Sequence, residues 1–267
     1  MYKLQKLSGL EQKLYFLLEA EDKRVVDAEI AMRLLNISKM HAYNLLKKMC
    51  KKGALDKVKS NLYVRVPAHL VHDKGKYTED PILVAKHLVE PYFFSHSTAL
   101  MLHGLAQQPG RNYFISTTKH VSKVEYRGNL IRPVILTKKR FFGFEKKEYS
   151  KEEVMVSDLE RTIVDVIDRP EYAGGYEEVL RCLSDVEEIN WDRLLAYIKK
   201  MDEKILVNRI GYVAELLKMR APAHFIKALR EMMSKNIYYF ERKKAGKFNK
   251  RWRIIVDPRL EGVAQGT

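Results

Sequence analysis

Between Ser38 and Gly53 the apolar residues Ala42, Leu45, Leu46 and Met49 recur at three- and four-residue spacing. That pattern gathers them on one side of a helix and on neither face of a strand. Ser38 offers an N-cap hydroxyl, and Gly53 can leave the helix in the left-handed conformation without strain. Two strand-like runs follow at 55–58 and 62–66, joined by the polar turn Lys59-Ser60-Asn61, and together they predict a two-stranded ribbon. Upstream, Leu10, Leu14, Leu17 and Leu18, then Ile30, Ala31 and Leu34, mark two more amphipathic helices on either side of the polar stretch EAEDKR. Asn36-Ile37 leaves only a tight turn between the second and third helices. Three helices and a ribbon in this order predict a winged helix-turn-helix over residues 1–66, its third helix in the major groove and its ribbon on the backbone of double-stranded DNA.

Charge sharpens that expectation. Residues 1–37 hold six Lys/Arg against six Asp/Glu, whereas residues 38–66 hold eight against one; a merely solvated helix face would share the balance of its neighbours. With the apolar stripe turned inward, the outward set is Lys39, Met40, His41, Tyr43, Asn44, Lys47, Lys48 and Lys51. Ser38 and the early members suit base edges, the lysines suit phosphates, and Asn44 has the two-pronged amide that pairs adenine. On the ribbon, Lys57, Lys59 and Asn61 are the expected contacts. The stretch LLNISKMHAYNLLKKMCKKGAL resembles the MarR-type winged-helix pattern, with Ala31 as the small residue between helices and Ile37 plugging the turn.

Residues 67–80, polar and followed by Pro81, read as a linker. Beyond it, helices at 81–89 and 97–104, strands at 113–117, 130–137 and 154–156, and then helices at 157–168, 175–184, 191–201, 204–218 and 222–234 predict a larger α/β domain over 81–267 with a helical C-terminal half. The chain is expected to close on a hairpin of 237–241 with 252–256. Taken whole, the fold class is mixed α+β. The net charge of +15 has a second pole at 220–259, where twelve Lys/Arg face three acids. There is no apolar run of transmembrane length and no secretory leader pattern, so a cytoplasmic protein that does not enter a membrane is expected.

Catalytic patterns are weak. His96 and His103 lie seven helical residues apart, about 10 Å along the axis, too far to share one metal ion. Asp158, Glu160, Asp165 and Asp168 form a carboxylate-rich stretch at 157–168, but Arg161 and Asp165 at i and i+4 read as a surface ion pair. Gly174-Gly175 lacks the Lys-Ser/Thr of a phosphate loop. Cys50 and Cys182 are lone packing thiols. No cofactor or metal is expected.

The blocks YFFSHSTALMLHGL, VSDLERTIVDVIDRPEYAGGYEEV, NWDRLLAYIKKM, RIGYVAELL and RWRIIVD, behind a winged helix, resemble successive blocks of the AbiEi-type antitoxins of abortive-infection, type IV toxin–antitoxin systems. The resemblance implies a non-enzymatic repressor that binds the operator of its own operon. It also implies a functional partner, a nucleotidyltransferase-like toxin, that is countered without a required direct complex. A candidate antitoxin or polyanion surface is then Ser95, His96, Arg161 and Asp165 together with Lys243, Lys244, Lys247 and Arg253, with RNA as a further candidate contact. The competing classes are a metal-dependent, DNA-directed enzyme using the 157–168 carboxylates and an RNA-binding regulator.

Overall fold

A computed structural model describes residues 7–70, 77–106, 110–241 and 246–265. The chain is a mixed α/β protein that divides into two compact units, Met1–Glu90 with Val121–Arg132 and Pro91–His120 with Pro133–Thr267.

The first unit opens with α1 (Gly9–Ala20), β1 (Val25–Val26), α2 (Ala28–Leu35), α3 (Lys39–Lys51), β2 (Leu55–Lys59) and β3 (Leu62–Arg65). Each helix starts where its sequence allows. The Ser8 N–H donates to Glu11 at 2.6 Å, Asp27 accepts from the Ile30 N–H, and Ser38 accepts from the His41 N–H, satisfying donors that a helix N-terminus leaves free. α2 ends on Asn36 at φ +51° and α3 on Gly53 at φ +79°, the left-handed exits that these residue types tolerate. Leu14, Tyr15 and Leu18 meet Ala28, Ala31, Ala42, Leu45, Leu46 and Met49 in one core. The small alanines let α2 and α3 approach. Burying a large apolar side chain contributes about 1.5–3 kcal/mol, so this stripe fixes the rotation of α3 and with it the face left to solvent. The strands form the sheet β1-β3-β2, antiparallel throughout. β1 adds a strand to the expected ribbon, and its two valines are too few to show a period in the sequence.

α4 (Pro81–Ala85) follows in the same unit. The expected linker behaves differently here. Residues 71–76 lie outside the described residues, but Glu79 is buried, faces Arg24 at 3.6 Å and donates its N–H to the Tyr126 hydroxyl. Polar composition suggests a tether, whereas Glu79 is buried between its partners. The boundary accordingly falls at Glu90/Pro91.

The chain continues through β4 (Tyr92–Phe94), α5 (His96–Leu102), β5 (Asn112–Thr117), β6 (Val124–Tyr126) and β7 (Asn129–Ile135). β6 and the first half of β7 are a hairpin of the first unit, in which Arg127 pairs with Asp56 at 2.8 Å. From Pro133 onward β7 belongs to the second unit, whose strands run β7-β5-β4-β9-β8 with β8 (Phe144–Tyr149) and β9 (Glu152–Ser157). β4 is antiparallel to β5 and parallel to β9. Then come α6 (Leu159–Asp168), α7 (Tyr176–Ser184), α8 (Trp191–Met201), α9 (Lys204–Leu216) and α10 (Ala223–Met232), whose apolar faces share a core with Phe240, Trp252 and Ile254.

The chain ends on β10 (Tyr238–Tyr239), β11 (Lys247–Asn249), β12 (Ile254–Val256) and α11 (Arg259–Gln265). This corrects the expected terminal hairpin: β12 is central, parallel to β10 and antiparallel to β11. The segment between supplies β11, which takes the antiparallel place beside β12, while Trp252 sits in the turn before β12, fully buried, with its carbonyl held by the Asn208 amide at 2.7 Å and its ring against Gly211.

Candidate nucleic-acid interface

Because Ala42, Leu45, Leu46 and Met49 are buried, the opposite face of α3 carries Lys39, Met40, His41, Asn44, Lys47, Lys48 and Lys51 into solvent, with Met40 70% exposed. Among the described residues no carboxylate pairs with Lys39, Lys47, Lys48, Lys51 or Lys57, although other lysines of the unit do find acids, such as Lys52 on Glu11. The positive charge is therefore uncompensated where it is most exposed. Tyr43 ties the helix to the ribbon: its hydroxyl lies 3.1 Å from that of Ser60, and the Lys47 ammonium sits 4.5 Å over its ring. Those contacts, Ser60 first and Lys47 second, hold the Tyr43 phenol below its ordinary value. A concavity of about 570 Å3 runs between α3 and β2, lined by Tyr43, Asn44, Lys47, Lys48, Lys51 and Lys57 with Cys50 and Tyr63 behind them. Ser60 and Tyr63 escape a reading of the sequence, since neither charge nor periodicity singles out a turn serine or one more strand tyrosine. Burial raises the Cys50 thiol, as befits a packing residue.

Two ribbon residues take other roles. Lys59 donates its ammonium to the Leu88 carbonyl at 2.9 Å, and burial lowers its pKa. Asn61 stands at φ +60° in the turn and accepts from the Ala28 N–H at 3.1 Å. Both hold the ribbon in place, and the exposed ribbon cation is Lys57. Ser38 is spent as the α3 cap.

Four residues of the second expected surface do not reach solvent. Ser95, His96, Arg161 and Asp165 are all buried. Arg161 donates to Asp165 at 2.9 Å and to the carbonyls of Arg140 and Phe142, with its guanidinium 4.5 Å from the Phe142 ring. The i,i+4 pairing holds, but the pair lies inside the protein rather than on its surface, because α6 is packed on more than one side. His96 shares a hydrogen bond with Ser95, which accepts from Ser116. Burial, reinforced by Arg161 and Arg169, pushes the His96 imidazole down to about 3. Lys243 and Lys244 lie outside the described residues. Lys247 is exposed, whereas Arg253 is half-buried and donates to the Lys235 carbonyl.

The carboxylates of 157–168 are each engaged. Asp158 caps α6 through the Arg161 N–H and accepts from the Tyr197 hydroxyl; Glu160 accepts from the Asn190 N–H and Arg193; Asp168 faces Arg140 at 3.9 Å. His103 bonds the Ser157 carbonyl at 2.8 Å. Among the described residues no group of His, Cys, Asp and Glu is placed to hold a metal ion, and no helix is long and apolar enough to cross a membrane.

No protein-family model and no curated protein matches the chain. Among solved structures it is similar to the crystal structure of the RV2827C protein from Mycobacterium tuberculosis, with a TM-score of 0.69 over 98% of this chain and 96% of that one at 13% sequence identity. At that identity the likeness speaks to the fold, which the two chains share over almost their whole lengths.

Proposed function

We propose that the chain is a cytoplasmic, non-enzymatic transcriptional regulator whose first unit binds duplex DNA as a winged helix, with α3 in the major groove. The observation that carries this reading is the unpaired cationic face of α3 around the exposed amide of Asn44, beside a concavity edged by Lys57. On the strength of the AbiEi-type resemblance, the DNA is the operator of its own operon, and the second unit counters a nucleotidyltransferase-like toxin. An enzyme built on the 157–168 carboxylates is disfavoured because those groups are committed to caps and ion pairs.

The test is a gel shift on the upstream DNA of the gene against a scrambled duplex. Asn44→Ala is expected to narrow the gap between the two by about 1–3 kcal/mol. Lys47→Ala and Lys48→Ala should weaken both duplexes alike and flatten the salt dependence by about one unit for each phosphate that is no longer neutralised. Equal affinity of the parent protein for operator and scrambled DNA would remove the sequence-reading role.

A further inference from the structure

The β10-β12-β11 sheet turns Ile254 and Val256 to the core, fully or almost fully buried. Its other face is partly open, with Ile255 half-buried at its centre. The register sets Tyr239 beside Ile255 and Ile255 beside Phe248, and side chains directly opposite one another share a face. The three therefore form a row across the sheet. Tyr239 is 40% exposed and Phe248 46%, and Ile237, two residues before Tyr239, is 53% exposed. Half of the large exposed hydrophobics among the described residues are thus gathered on this small sheet and the residue just before it, which marks a contact surface rather than scatter. The aromatic residues that the sequence places beside the basic pole, Phe240 and Trp252, are both buried and cannot serve.

The surroundings say what kind of partner fits. Lys250 directly follows the strand that carries Phe248, and Lys235 precedes β10; both are exposed, and neither meets a carboxylate among the described residues, whereas Lys247, opposite Val256, belongs to the other face. Lysine is depleted at protein–protein interfaces, whereas exposed rings framed by lysines are what unpaired bases and their phosphates require. Tyr239 and Phe248 lie two strand spacings apart, about 9–10 Å. The bases of one duplex strand are stacked about 3.4 Å apart and hidden in pairs, so only a strand with splayed bases presents faces to both rings.

We propose that Tyr239 and Phe248 form a stacking platform for unpaired bases of a single-stranded nucleic acid, with Lys250 and Lys235 holding its phosphates. The platform belongs to the second unit and does not rest on the duplex-DNA reading.

The test uses the full chain carrying Lys47→Ala and Lys48→Ala, which removes most duplex affinity through α3. Fluorescence anisotropy is followed with labelled oligonucleotides of about twelve units: uridine-rich RNA, thymidine-rich DNA and a DNA duplex. At least one single strand should bind more tightly than the duplex. Tyr239→Ala or Phe248→Ala should weaken that binding by about five- to a hundredfold without lowering the melting temperature. Tyr239→Phe and Phe248→Tyr, which keep the ring, should bind as the parent does. Preference for RNA would assign contacts to the 2′-hydroxyl, and equal binding of RNA and DNA would assign recognition to bases and phosphates alone. The proposal is overturned if the alanine variants bind single strands as well as their parent, or if the parent prefers the duplex. It is likewise overturned if sedimentation finds a dimer that Tyr239→Ala dissociates, since a second copy would then cover the face.

Discussion

Arg161 carries its charge into the buried interior, where one carboxylate, two carbonyls and the face of Phe142 answer it. Asp165 depends on it in return. Burial raises the Asp165 pKa while the Arg161 guanidinium works against that rise. Arg161→Met should therefore cost about 3–5 kcal/mol in urea unfolding, because it strands a buried acid, and adding Asp165→Leu should restore part of that stability. An Arg161→Met protein as stable as the parent would mean that the pair is solvated. His96 makes the fold sensitive to acid by a different route. Its folded pKa of about 3 lies below the ordinary 6.5, so below pH 6.5 the unfolded chain takes up a proton that the native chain refuses. Its contribution is complete above pH 6.5 and declines as pH falls toward 3, at up to about 1.4 kcal/mol per unit. His96→Asn, suited to the left-handed φ of +53° at that position, should flatten the stability profile between pH 6 and 4. A slope unchanged by the substitution would place the titrating group elsewhere.

Elements in this chain are positioned by single close approaches. α9 and the turn before β12 meet where Gly211 faces the Trp252 ring: a Cβ there would lie 2.1 Å from a ring carbon. The ring cannot swing aside, because Trp252 is fully buried and its indole N–H donates to Glu215. Gly211→Ala should thus cost more than the usual 1–3 kcal/mol of overpacking, read as a lowered melting temperature with disturbed indole fluorescence. If Gly211→Ala melts with the parent, the ring is less confined than its burial indicates. The same logic explains why α3 presents a fixed face to solvent. Its inward stripe is closed by small alanines against α2, and Tyr43 is pinned to the ribbon through Ser60, so the exposed amide and lysines are held on a rigid element.

Across the whole molecule, the first unit is discontinuous in sequence. Arg24 with Glu79, Asp56 with Arg127 and Lys59 with the Leu88 carbonyl all join residues 1–66 to segments that come later. A fragment of 1–66 keeps the helical core but lacks all three. It should be less stable than the same residues in the full chain, with faster amide exchange in β2 and β3, and it should bind duplex DNA more weakly. Identical exchange in fragment and full chain would make 1–66 autonomous, as its apolar pattern alone suggests. That outcome would also make the bonds at Glu79, Leu88 and Arg127 incidental.

What depends on near neighbours is already written in the order of residues: the α3 stripe with its Ser38 cap and Gly53 exit, the ribbon, the helices from α6 to α10, and the cationic face that follows once the stripe is buried. These are legible because helical period, capping and turn chemistry act within a few residues. Whether a charge is exposed or buried, and which strands pair, is settled by packing across the folded chain. Arg161 and Asp165 read alike as a surface couple or a buried one, and Lys59 as a free cation or a strut, because side-chain type is silent about what packs against it. The last sheet pairs β10 with β12 in parallel, and Trp252 before β12 packs against Gly211, 41 residues earlier in the chain. No local rule spans such a distance, and the rings of Tyr239 and Phe248 come to share a face only through that pairing.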